Sequence, residues 1–294
     1  MKTILLLSLL LPALQAADRT FLKSAQQTAH WLQSCSRQTP NGKVWAADPR
    51  DSTTVSTNLY SGSSGVVLFF LEMYRATQNK MYFNDACAGA DYLIARLPDT
   101  LAQEESGLYT GVAGIGFVLE ETFKSTEEKK YRDGALRCVA LLQKYAKKIG
   151  EWNSVTDIIA GGAGAGLFLL YAAKEMNDPT SRDLAVKAGL RLIELGKAES
   201  GGMKWAMAPD FPRLMPNFSH GTAGICYFLA SLYDETERQE FLAAALAGAN
   251  YLKSIANTEG DACLIFHHEP DGKDLYYLGW CHGPVGTARL FYRL

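Results

Sequence analysis

The chain has no run of basic residues and no basic face, and its formal net charge is −2. Binding to nucleic acid or to an anionic membrane surface needs clustered Lys and Arg, so both classes are excluded. Past the first 17 residues, no stretch is long and apolar enough to span a bilayer. The apolar–polar alternation of half-buried strands is almost absent, which argues against a fold built on a sheet. The six cysteines, Cys35, Cys87, Cys138, Cys226, Cys263 and Cys281, lack the spacing of a small disulfide scaffold. Cys87, Cys138 and Cys226 fall in apolar helical patterns and read as buried free thiols. Cys35 and Cys263 lie nearer loops and are free to pair.

What is present begins with Met1–Ala16, a short apolar core behind Lys2 that closes on small residues. This is the layout of a secretory signal peptide. Residues 1–17 are therefore expected to be removed, and the mature chain, 18–294, to be exported as a single domain. The full sequence has 294 residues, ample for a large core.

One glycine pattern, G-x-x-G, then organises everything. Its first glycines are Gly62, Gly111, Gly161, Gly221 and Gly283, at intervals of 49, 50, 60 and 62 residues. Each opens an apolar run, such as Val66–Tyr74 or Tyr227–Tyr233, that is apolar on nearly all sides and reads as a buried helix. Amphipathic helices precede these runs, expected at about Arg19–Cys35, Met81–Leu97, Glu127–Lys148, Thr180–Lys197 and Thr236–Ala256. Two helical patterns per period mark an array of helical hairpins. The expected fold is all-α: an α/α toroid with five hairpins present, amphipathic helices outside and apolar helices inside. The glycines permit close backbone approach where inner-helix N-termini converge. Those N-termini are expected to expose unpaired N–H groups at one mouth, a setting that suits thiolates and carboxylates. The extra length of the last two periods is loop, and long loops in compact domains usually serve function. The last inner helix starts near Pro284 and reaches Leu294 without the polar tail of the others. An apolar helix needs a neighbour, so the chain is expected to be the N-terminal part of a longer protein.

The chemistry stands out against the repeat's own average. The residue before the first glycine is Ser61, Thr110 and Ala160 in three copies, but His220 and His282 in the last two. The fold therefore requires no histidine there. Beside His282 stands Cys281, a candidate soft metal ligand, since Zn²⁺ takes Cys and His in tetrahedral sites. Cys263, His267 and His268 in the preceding loop are candidates to complete such a site, although solvated loop side chains are the simpler reading. Asp157, four residues before Gly161, is a candidate proton acceptor; the simpler reading is an exposed loop residue that caps the inner helix.

Together these motifs resemble the lanthionine synthetase C-like (LanC-like) family. Ser219-His220-Gly221-Thr222-Ala223-Gly224 is similar to that family's S-H-G-x-x-G, Trp280-Cys281-His282-Gly283-Pro284-Val285-Gly286 to its W-C-[HY]-G-x-x-G, and Asp157-Ile158-Ile159-Ala160-Gly161 to the D-x-x-x-G of its third repeat. The resemblance implies an α/α toroid with Zn²⁺ at one mouth, where a peptide or glutathione thiol adds to a dehydroamino acid. It implies Cys281 as a zinc ligand, His220 as the acid that protonates the enolate, Asp157 as an assisting acid/base and His282 beside the reacting centre. The family's later Cys-His zinc pair has no counterpart before Leu294, and Pro284 falls one place before the family's usual proline. The implied partners are a peptide or small thiol substrate, with a monomeric chain. Two other readings stand beside this one. One is an exported glycosidase-like toroid, which needs a carboxylate pair at the mouth. The other is a non-catalytic toroid that binds peptide through Trp45, Trp152, Trp205 and Trp280.

Overall fold

The computed structural model describes residues 21–199 and 201–294; the expected signal peptide lies outside them. Residues 21–35 are helical (α1). Nine further helices follow among the described residues: α2 (Ser63–Thr77), α3 (Lys80–Ala95), α4 (Val112–Thr126), α5 (Lys129–Tyr145), α6 (Gly162–Glu175), α7 (Pro179–Leu195), α8 (Thr222–Thr236), α9 (Gln239–Ser254) and α10 (Pro284–Arg293). Even-numbered helices form the inner layer. They pack in chain order, α2 on α4, α4 on α6, α6 on α8 and α8 on α10, while the outer helices α3, α5, α7 and α9 each pack on the inner helix before them. This is the expected α/α toroid. No described helix is long and apolar enough to cross a membrane.

The tight turns lie between an inner helix and the outer helix after it. At each, the chain reverses through one left-handed residue: Gln78, Glu127, Asn177 or Glu237, with φ between 55° and 60°. At Gln78, Glu127 and Glu237 the residue's own N–H closes on the carbonyl four residues back, at 2.7 Å in each case. Inner helices approach closely because glycines on one receive phenylalanines of the next. A Cβ on Gly116 would strike the Phe168 ring, and one on Gly166 the Phe228 ring. At the end away from the mouth, Glu121 accepts from Arg75 of α2 at 2.7 Å and from Tyr171 of α6 at 2.6 Å, tying three inner helices together.

Two expectations need revision. First, four two-stranded antiparallel hairpins follow outer helices: β1 (Arg37–Thr39) with β2 (Gly42–Val44), β3 (Ala46–Asp48) with β4 (Asp51–Val55), β5 (Lys197–Glu199) with β6 (Gly202–Lys204), and β7 (Asn257–Glu259) with β8 (Ala262–Leu264). Strands of three to five residues are too short to show alternation. Second, Trp45, Trp152 and Trp205 are buried to 4% exposure or less. Their indole N–H groups donate to Leu32, Leu142 and Leu192 carbonyls of outer helices at 2.7–2.8 Å. They fasten the segment after each outer helix to the core and are closed to a peptide ligand. Cys35 and Cys263 are exposed, Cys138 and Cys226 are buried, Cys87 and Cys281 are half-buried, and all six are free thiols.

Candidate active site

The mouth is built from the five loops that run into the inner helices. Three of them fold back so that their carbonyls meet the first N–H groups of their own helices, α2, α6 and α8. Ser63 N donates to Ser56 O, Gly162 N to Val155 O, and Thr222 N to Met215 O, all at 2.9–3.0 Å. The expectation of exposed, unpaired helix N–H groups is therefore corrected at these helices: the loop seven residues upstream satisfies them before any ligand arrives. This close return explains the glycines. A Cβ on Gly114, Gly164, Gly224 or Gly286 would land on the carbonyl oxygen six residues earlier, at Leu108, Ile158, Phe218 or Trp280.

The loops are also stitched to one another at equivalent positions. Tyr60 N donates to Tyr109 O, Tyr109 N to Ile159 O, and Ser219 N to Cys281 O. Between the third and fourth loops a side-chain bond makes the link instead. His220 Nδ1 lies 2.7 Å from Asp157 Oδ2. Asp157 is 1% exposed, not the exposed loop residue of the simpler reading. Its other oxygen accepts from Ala160 N at 2.8 Å and Gly161 N at 3.1 Å. A carboxylate only accepts, so His220 Nδ1 carries the hydrogen and Nε2 is left for chemistry. The Asn217 side-chain oxygen holds the His220 backbone N–H at 2.9 Å.

His282 faces His220, with ring centroids 5.5 Å apart. Ser219 Oγ donates to Asn217 Oδ1 at 3.2 Å and lies 3.4 Å from His282 Nδ1. The hydroxyl's single hydrogen is thus used, so His282 Nδ1 donates to it and Nε2 keeps its lone pair. Burial, then the neighbouring His267 and His220, pushes the His282 imidazole down to about 4. Two further histidines arrive from the loop after β8. His267 stands 4.6 Å from His282 and 5.0 Å from Tyr277, ring to ring. His268 is buried, and its Nδ1 is 2.7 Å from that of His267. Burial, then His268, His220 and Arg213, also lowers the His267 pKa. The solvated reading of these two side chains does not hold. The signal available in the sequence was the excess length of the fifth loop.

The low pKa of His282 has a consequence for stability. An unfolded histidine takes its proton near 6.5, whereas folded His282 takes it near 4. The unfolded chain therefore binds more protons between these values. The stabilisation is complete above about 6.5 and is lost as pH falls through about 4. The urea midpoint of wild type should fall between pH 7 and pH 4.5, and that of His282→Gln should fall less. Equal falls in the two proteins would refute the assignment.

Cys281 sits beside His282, half-buried. Zinc needs three or four protein donors. Among the described residues no three His, Cys, Asp or Glu side chains converge on a point that would hold a metal ion. Cys263 is exposed on β8, and His267 and His268 turn Nδ1 atoms towards each other. The donor set present does not by itself make a zinc site.

Fold and mouth together define an α/α toroid carrying an imidazole–carboxylate pair where its inner helices begin. The chain belongs to the lanthionine synthetase C-like protein family, whose sequence pattern matches residues 53–294. In structure it is similar to nisin cyclase, with 17% identity, covering 95% of this chain and 70% of that one at a TM-score of 0.59. It is similar to a polysaccharide lyase, with 12% identity, coverage of 94% and 83%, and a TM-score of 0.60. Cellobiose 2-epimerase from Bacillus thermoamylovorans gives 13% identity, coverage of 80% and 71%, and a TM-score of 0.58. At such identities the likeness shows a shared fold.

Proposed function

We propose that this protein adds thiols to dehydroamino acids in peptides, with His220 as the proton donor and Asp157 as the group that orients and charges it. The observation that carries the reading is the 2.7 Å contact between Asp157 and His220, in a chain of the LanC-like family. The thiol enters as thiolate, its proton left to solvent. Sulfur bonds to the β-carbon, the alkene's π pair moves to an enolate, and His220 Nε2 gives its proton to the α-carbon. Solvent then recharges the imidazole. Asp157 stabilises the doubly protonated imidazole before transfer. His282, neutral at working pH, accepts a hydrogen bond from the substrate at Nε2.

Zinc enters the proposal only through Cys281, and no step is assigned to it because this chain's described donors do not complete a site. Nisin cyclase, by its name, acts on a peptide, which supports a peptide substrate here. Export through residues 1–17 and a monomeric state belong to the same proposal; N-terminal sequencing of the exported protein should begin after Ala16 or Ala17.

A carbohydrate-active reading draws on the fold shared with the lyase, the epimerase and an α-1,6-mannanase of Salegentibacter. Glycoside hydrolysis needs one carboxyl group free to donate and a second opposite it. Both oxygens of Asp157 are already engaged, so the geometry favours proton transfer through imidazole.

The purified chain should convert a dehydroalanine peptide and glutathione to the adduct, read by mass spectrometry, faster than the uncatalysed mixture. His220→Gln should lower that rate by about 10²-fold or more. A wild-type rate equal to background would sink the proposal.

A further inference from the structure

Beneath the mouth the inner helices line a half-open cavity of about 660 Å³, within the usual range for small-molecule sites. Tyr109, Phe117, Phe168, Phe218, Tyr227 and Trp280 supply aromatic wall, and the remaining lining is Leu, Ile and Tyr171, apart from Arg289. Arg289, on α10, is the single charged lining residue. Its guanidinium lies 5.8 Å from the Phe218 and Tyr227 ring centroids. Among the described residues it makes no ion pair, whereas Arg75, Arg132, Arg191, Arg238 and Arg293 each hold a carboxylate. The cation lies near two rings set edge to face, and with no carboxylate on it the N–H fork is open to a bidentate acceptor. An apolar shaft ending in an unpaired cation is complementary to a molecule with a flat apolar body and one anionic end.

We propose that this cavity is a binding site for an aryl carboxylate, its ring between the aromatic walls and its carboxylate on Arg289. Arg289 is exposed at the edge of the cavity, and carboxylate matches its guanidinium fork with two parallel hydrogen bonds. The site adjoins the mouth, since Ile158 follows Asp157 and Trp280 precedes Cys281, yet it uses neither Asp157 nor the histidines. It therefore stands whether or not thiol addition is the activity.

The test is calorimetric titration of the full chain with 4-phenylbutyrate and with 4-phenylbutyramide. Wild type should bind the acid at least tenfold more tightly than the amide. Arg289→Met, which keeps the stem over the rings, should bind the two alike, and Arg289→Lys should keep part of the preference. Circular dichroism of each variant should match wild type, and Asp157→Asn should leave the preference unchanged. Equal binding of acid and amide by wild type, binding of neither, or a preference that survives Arg289→Met would each overturn the proposal.

Discussion

Replacing Asp157 with Asn should lower the rate of thiol addition by about 10²- to 10⁴-fold while leaving the fold in place. The side chain is nearly isosteric, and the amide oxygen can still accept from Ala160 N and Gly161 N. The change falls on His220. In the native protein a carboxylate oxygen accepts from Nδ1, so Nε2 is the working nitrogen and the protonated ring has a counterion. In the variant an NH₂ group faces Nδ1, donates to it and drives the hydrogen to Nε2, and the ring loses its counterion. The measurement is the rate of adduct formation against pH for both proteins, with thermal melts alongside. A variant with wild-type rate would show that Asp157 only holds the loop. A variant with a collapsed melt would be read against Asp157→Glu, which keeps the charge and should recover part of the rate.

The second large effect concerns stability. Gly224→Ala places a methyl group on the Phe218 carbonyl oxygen and near the Ile158 side chain. A backbone atom is on the receiving side, so the clash is relieved only by moving the loop that carries Ser219 and His220. Overpacking of this kind costs about 3 kcal/mol, and for a chain of this size that corresponds to a fall in Tm of roughly 6–12 °C. Gly279→Ala is the matched comparison: it lies in the fifth mouth loop with nothing near its added Cβ, and it should stay within about 0.5 kcal/mol of wild type. Urea denaturation of the three proteins decides the matter, and equal midpoints for Gly224→Ala and Gly279→Ala would remove the steric account of the G-x-x-G repeat.

The repeat was legible because every unit meets the same local demand. A loop must double back over a helix it is about to enter, and only glycine lets its carbonyl come so close, so the pattern recurs at Gly62, Gly111, Gly161, Gly221 and Gly283. The all-round apolar runs that follow can only be buried, which places them inside. The equivalence of His220 and His282 follows from the same register, since both hold the position before the first glycine. The outer helices were legible too: α1 ends at residue 35 as expected, and α3, α5, α7 and α9 end two or three residues sooner than their amphipathic patterns, as α5 does at Tyr145 and α7 at Leu195.

The partners of these residues were not legible. Asp157 and His220 are 63 positions apart, and nothing local distinguishes a buried, paired aspartate from one that caps a helix in solvent. His267 and His268 looked like solvated loop residues until Glu269 anchored their loop through Lys204 at 2.7 Å and Tyr251 at 3.0 Å. Trp45, Trp152 and Trp205 looked like a binding surface until their indoles found the outer-helix carbonyls. The sequence by itself determined the helices, their order and which of them face inward, because those follow from periodicity and from steric demands within one unit. The tertiary structure alone decided which side chains share the mouth and the cavity, because those contacts join loops from different units, and only the packing of inner helix against inner helix sets how far apart the loops lie.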